Sequence, residues 1–423
     1  MKSANLFWKR LRPYRTRIIL LLGVVGPGII TANVDNDAGG ISTYSVAGAH
    51  YGYTLLWMMP LVAIALIVVQ EMSARLGVVT GKGLSDLIRE NMGVRATAYL
   101  LAVLVFVNLA NTVSEFAGVA ASMEIFNVSK FISVPLAALL VWLLVVKGNY
   151  KTVERIFLVA STIYLAYIAS GVLAHPNWVH VTKAALTPSF HFDAGYVVIF
   201  VTIIGTTIAP WMQFYQQSSI VDKGIPVKHY KYEVVDVVVG SLFAVTVASF
   251  IMIACAATLN QQGIRIDTAK EAALALGPLA GKYAGVLFAL GLLNASLFSA
   301  SILPLSTAYL VCEAFGWESS LSRDVGEAKV FFSIYTGMII LGALIILLPI
   351  QSLIKTMIAS QTLNGILLPV ILIVMLRLVN DKQLMGRYIN GRIFNTLAWI
   401  TVAILILLVI VLVLVSFFPG LLS

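Results

Sequence analysis

Residues 23 to 40 read Gly-Val-Val-Gly-Pro-Gly-Ile-Ile-Thr-Ala-Asn-Val-Asp-Asn-Asp-Ala-Gly-Gly, an apolar stretch holding two carboxylates, Asp35 and Asp37, and two amides, Asn33 and Asn36. An aspartate near the middle of a bilayer costs about 2.5 to 3.5 kcal/mol on insertion scales, so a plain anchor has no reason to carry one. Gly39 and Gly40 let the backbone leave helical geometry. Unwound backbone survives at membrane depth only where it lines a cavity or is buried in protein. Carboxylates beside freed carbonyls suit a hard cation, and ion binding is the chemistry predicted here.

The elements that must position these residues are membrane spans. At 60% hydrophobic and 11% charged residues, with mean hydropathy +0.94, the chain lies far from the roughly 25% charged content of soluble domains. It reads as an all-α polytopic membrane protein with the lipid bilayer as its surroundings. The formal net charge of +9 does not imply a nucleic-acid partner, because the basic residues flank apolar spans and form no basic face on a soluble domain. Cys255 and Cys312 fall in apolar stretches and offer neither a disulfide framework nor a metal-type spacing. No cofactor and no obligatory protein partner are predicted.

Apolar runs long enough to cross the hydrocarbon core fall near 18–47, 52–74, 96–122, 131–147, 155–174, 195–221, 233–259, 283–312, 330–350, 352–376 and 394–417. The basic segment Met1 to Arg17 precedes them and reads as the flank of a first span, not a removable signal. With eleven spans, all of the 28 Lys and Arg residues except Lys130, Lys183, Arg265, Lys270, Lys282 and Lys355 fall on one side. The positive-inside rule then places the N-terminus in the cytoplasm and the C-terminus outside a plasma (inner) membrane. Between spans, Gly83 to Asn91 reads as a short amphipathic helix at the cytoplasmic surface. Glu71 and Arg75, four apart on one face, read as a structural pair. Glu233 and Asp236 are candidates for lining an inner vestibule.

The sixth span has Gly205, Thr206, Thr207 and Pro210 at its centre. Proline removes a backbone donor and clashes with the carbonyl four residues back, so this span is interrupted too. Interruptions in spans one and six, five spans apart, point to two inverted five-helix repeats with the substrate at the midplane. The repeats would cover 18–174 and 195–376, with 394–417 as an eleventh transmembrane helix, all in one transport domain.

These residues resemble the NRAMP divalent-metal transporters. Gly26-Pro27, Asp37 followed by Gly39, and the run Ala47 to Trp57 are similar to the family's opening region; Ile204 to Pro210 is similar to its sixth helix, and Ser360-Gln361 to part of its tenth. The resemblance implies the LeuT-like fold. It also implies that Asp37 is an ion ligand and that Gln361 closes over the ion.

Two departures bear on the ion. The family's Asp-Pro-Gly-Asn reads Asp37-Ala38-Gly39-Gly40 here, so an asparagine ligand becomes Gly40; the methionine before the sixth-helix proline becomes Ala209. Thioether donors select softer ions, whereas carboxylate, carbonyl and water suit Mg2+, Ca2+ and Mn2+. Losing two bulky ligands also makes room for water, and Mg2+ dehydrates reluctantly. Two further departures bear on protons. Trp211 stands where the family has a histidine, and Thr112 replaces one member of an acidic pair, leaving Glu115. A proton relay needs a chain of titratable groups. The chain thus resembles the NRAMP-related magnesium transporter branch, with uptake of partly hydrated Mg2+, and also Mn2+, by alternating access and without protons.

The candidate metal site is Asp37, Asp35, Gly40, Thr206, Ala209 and Gln361. Asp37 is the direct or water-mediated ligand, or else the cap of a helix break. Asp35 either adds a second charge or faces an aqueous vestibule. Thr206 offers its carbonyl at a half-helix C-terminal end, although its hydroxyl can instead bond back to its own helix. Gln361 either reaches the ion or makes an interhelical hydrogen bond. Competing readings are a proton-coupled Mn2+ or Fe2+ transporter, an amino-acid carrier of the same fold, and an intramembrane aspartyl protease. The carrier has little use for two carboxylates at the break. The protease needs two aspartates that share a proton at close range, usually drawn from separate helices, whereas Asp35 and Asp37 lie on one segment.

Overall fold

The computed structural model describes residues 34–147, 159, 161–191, 193–321 and 323–417. The basic segment, Gly26-Pro27 and Asn33 lie outside the described residues. Among the described residues every regular element is helical: α1 (Ala38–Tyr51), α2 (Met58–Thr80), α3 (Leu84–Glu124), α4 (Lys130–Val146), α5 (Leu165–Leu173), α6 (Trp178–Leu186), α7 (Ala194–Thr207), α8 (Pro210–Asp222), α9 (Tyr230–Thr258), α10 (Ala284–Phe315), α11 (Lys329–Leu347), α12 (Leu353–Asn380) and α13 (Arg392–Phe417), with short turns between them. Among the described residues eight stretches are long and apolar enough to cross a membrane: those holding α2, α3, α9, α10, α11, α12 and α13, and α7 with α8 taken together. The helices α4 and α5 are shorter and apolar, and α1 enters from the first break.

The breaks follow from local chemistry. In the sixth span α7 stops at Thr207, and Ile208 leaves helical geometry at φ −125°, ψ 58°. Ala209 is extended at φ −68°, ψ 138°, and Pro210 opens α8 at its first position. Proline disfavours helical geometry in the residue before it and fits the first turn of a helix, where no N–H is required. The third helix carries another interruption. The helix expected over Gly83 to Asn91 begins at Leu84, with Leu84, Leu87 and Ile88 buried and Glu90 and Asn91 exposed. It joins the long span through Gly93 at φ 78°, ψ 165°.

Helices in a membrane associate through close packing and polar contacts, because lipid is as apolar as they are. Gly205 on α7 lies against the backbone of α12: a Cβ at Gly205 would strike the Gln361 carbonyl and the Gly365 amide, and one at Gly365 would come within 2.7 Å of the Val201 carbonyl. The α7 and α12 backbones therefore touch, which brings residue 361 beside the second break. The first break is tied to α9 by Asn36, whose Nδ2 donates to the Ala244 carbonyl at 3.3 Å. Tyr44, Trp211, Phe214 and Phe298 are fully buried around these crossings.

Glu71 and Arg75 form the expected i, i+4 pair at 3.1 Å, and both are buried. Tyr230 on α9 donates to Glu71, and Arg75 donates to the Tyr388 carbonyl at 3.1 Å and to the Asn390 side chain. Its guanidinium also lies 5.4 Å from the Phe394 ring. A buried ion pair is tolerated when further hydrogen bonds satisfy its remaining groups. This one locks α2 to α9 and to the start of α13. Glu233 and Asp236 are both buried on α9.

Candidate metal-ion site

Asp37 caps α1. Its backbone is extended at φ −69°, ψ −176°, and its Oδ1 accepts the Gly40 N–H at 2.6 Å. Aspartate is among the best N-caps, and the helix dipole favours its charge there. On the other side of the carboxylate lies Gln361, whose Nε2 donates to Oδ1 at 3.3 Å and to Oδ2 at 3.2 Å. This approach requires glycine at position 39, since a Cβ there would run into the Gln361 amide. Behind Gln361 stands Asn364, one turn further along α12, whose Nδ2 donates to Gln361 Oε1 at 2.7 Å. Asn364 pairs in turn with Asn111 on α3, through bonds of 2.9 and 3.1 Å in opposite directions. The same helix brings Glu115, whose Oε2 accepts the Ala38 N–H at 3.3 Å.

The second break faces the first across Gly40. A Cβ built at Gly40 would lie 3.4 Å from Asp37 Oδ1 and 3.2 Å from Thr206 Oγ1. Thr206 is buried and its Oγ1 has no hydrogen-bond partner among the described residues. The bond back into the helix is made by its neighbour: Thr207 donates to the Ile203 carbonyl at 2.7 Å and shares a 2.7 Å bond with Tyr44. Residue 210 would be the helical donor to the Thr206 carbonyl, and proline has no N–H to give. Ala209 lies within the break itself, 2% exposed, and its carbonyl accepts the Met212 N–H at 3.1 Å.

Position 40 departs from expectation. The room assigned to water there is taken by backbone, because a Cβ would lie only 2.5 Å from the Asp35 carbonyl. The turn from Asp35 to Asp37 folds that carbonyl over Gly40, whose contribution is its N–H on Asp37. Asp35 itself is 1% exposed, and neither of its carboxylate oxygens has a hydrogen-bond partner among the described residues. A buried carboxylate without donors is strongly unfavourable unless a cation or ordered water meets it.

The structure thus brings Asp37, Gly40, Thr206 and Gln361 together, with Asp35 and Ala209 in the two broken segments. Among the described residues no three Asp, Glu, His or Cys side chains are grouped so as to hold a metal ion by themselves. The donors on offer are one capped carboxylate, an amide, backbone carbonyls and hydroxyls. Met357, one turn before Gln361, has its sulfur engaged by the Ser42 hydroxyl at 3.5 Å. The roles of Asn111 and Asn364 in this site were not read from sequence. Polar residues at 108, 111 and 115, and at 361 and 364, each form a one-face stripe in an apolar span, and that pattern was the available signal.

A chain whose described residues form helices throughout, with two interruptions meeting at a buried carboxylate, belongs to the class of membrane transporters built around broken helices. Residues 28–415 match the model of the family Nramp, natural resistance-associated macrophage protein-like. The chain belongs to the NRAMP family. It is 30% identical over 406 residues to the divalent metal cation transporter MntH of Ralstonia nicotianae, covering 91% of this chain and 89% of the relative. MntH of Bacillus subtilis is 25% identical over 391 residues, covering 90% and 89%. Among solved structures, the Eremococcus coleocola manganese transporter aligns with TM-score 0.72 at 22% identity, over 92% of this chain and 86% of that one. A nucleobase-cation-symport-1 family transporter aligns with TM-score 0.59 at 13% identity, over 92% and 91%. The shared architecture is the LeuT-like transporter fold, and the chain is a transport protein, not an enzyme.

Proposed function

We propose that this chain is a divalent metal cation transporter that imports Mg2+, and also Mn2+, as a partly hydrated ion by alternating access, without coupled proton movement. The ion is substrate, and no cofactor takes part. The observation that carries this reading is the pairing of Asp37 with a second break that ends in Ala209, where no thioether stands. Hard oxygen donors with water suit Mg2+ better than a dehydrated soft ion. The donor set proposed is Asp37, with Asp35 as a second charge, the Thr206 carbonyl and the Gln361 amide. Ala209 offers no sulfur donor at this place.

The absence of proton coupling is supported by the third helix. Thr112 donates to the Asn108 carbonyl within its own helix at 2.9 Å, and Trp211 cannot titrate. An inside-negative potential gives a divalent ion about 4.6 kcal/mol per 100 mV, enough to drive uptake alone. We assign the N-terminus to the cytoplasm on charge distribution, and propose eleven spans arranged as two inverted repeats plus α13. The MntH relatives and the manganese transporter support metal as the cargo class. A second reading, a proton-coupled Mn2+ transporter, is favoured by Glu115, which lies at the α1 N-terminus beside Asp37.

Restoring the sulfur tests the ion assignment. Ala209→Met is expected to raise Mn2+ or Cd2+ uptake relative to Mg2+ by about tenfold or more, since even partners outside the ligand shell shift metal affinity by about that much. Unchanged competition among these ions in a transport assay would mean that this position does not set selectivity.

A further inference from the structure

The row Asp37, Gln361, Asn364, Asn111 has a direction, and the carboxylate sets it. A carboxylate only accepts hydrogen bonds, so Gln361 must present its NH2 to Asp37 and its carbonyl to Asn364. Asn364 must then present its NH2 to Gln361 and its carbonyl to Asn111. Asn111 completes the pattern by donating to Asn364 Oδ1 at 2.9 Å while its own oxygen accepts the second Asn364 proton at 3.1 Å. Turning the Gln361 amide around would put two oxygens face to face at Asp37 and two donors face to face at Asn364. All four residues are buried, so water does not relieve either conflict.

In this arrangement the Gln361 amide protons occupy the Asp37 oxygens that a cation would use. For Gln361 to offer its oxygen to an ion, it must release the Asn364 proton at 2.7 Å and rotate. We propose that Asn364, backed by Asn111, is a positioning residue that holds Gln361 as a competitor of the cation and so sets a low affinity for the transported ion. This rests on the metal-transport reading above. The amide row stabilises the ion-free carboxylate, and binding has to reverse it.

The consequence runs against the usual result of removing a site residue. Asn364→Leu should lower the KM for Mg2+ and Mn2+ in proteoliposome uptake by about tenfold, the equivalent of one hydrogen bond of ordinary net strength. The maximal rate should change much less. Asn364→Thr keeps a hydroxyl donor for Gln361 and should return KM toward the wild-type value, which a purely structural defect would not do. Asn364→Leu strands the Asn111 amide, so the double variant Asn111→Leu, Asn364→Leu serves where the single one folds poorly. Removing both partners of a buried bond is far less costly than removing one. A KM that stays the same or rises in the folded variants overturns the proposal. Absence of any metal uptake by the wild-type protein overturns the transport reading instead, which keeps the two failures distinct.

Discussion

Asp37→Asn is expected to abolish transport of every divalent ion while leaving the protein folded. Asparagine is as good an N-cap as aspartate, so the bond from the Gly40 N–H at 2.6 Å can persist and α1 keeps its start. What is lost is the negative charge and one of the two oxygens that accept from Gln361. Removing one member of a buried, hydrogen-bonded charge pair costs about 2 to 5 kcal/mol, or roughly 30-fold to several thousandfold in affinity. Asp37→Ala confounds the two effects, because loss of the cap alone destabilises a helix by about 1 kcal/mol. Wild-type uptake rates in folded Asp37→Asn would remove this residue from the ion path.

The second large effect concerns folding. Gly205→Ala should lower the melting temperature of the purified protein markedly, although helix propensity alone predicts a gain of about 1 kcal/mol. The new Cβ would meet the Gln361 carbonyl and the Gly365 amide, which are backbone atoms and cannot swing aside as a side-chain tip can. Overpacking typically costs about 1 to 3 kcal/mol, and more where backbone has to separate. Gly337→Ala in α11 is the control, since its Cβ would meet nothing within 4 Å. A rise in melting temperature for both variants would show that α7 and α12 do not touch as described.

Both breaks were legible because their causes are local. Pro210 lacks the N–H that Thr206 needs and unsettles Ala209, whatever the rest of the chain does. Asp37 was read as the possible cap of a helix break, and aspartate is a favoured N-cap whatever the rest of the chain does. The amide row was not legible in the same way. It depends on α12 facing α1 on one side and α3 on another, and the register between distant helices is not written in either one. Gly40 was misread for a related reason. Its lack of a side chain suggested open space, but the direction of the Asp35 carbonyl is set by three backbone angles in the turn. The Glu71–Arg75 pair was legible from its spacing. Its ties to Tyr230, Tyr388 and Asn390 were not, because those residues are brought together only by packing.

Whether Mg2+ crosses without protons can be read in liposomes holding the purified protein with a Mg2+ dye and a pH dye trapped together. Under an inside-negative potential, Mg2+ should enter with no accompanying acidification. Acidification in step with metal entry, or Mn2+ entry with none of Mg2+, would contradict it and return the chain to a proton-coupled Mn2+ transporter acting through Glu115.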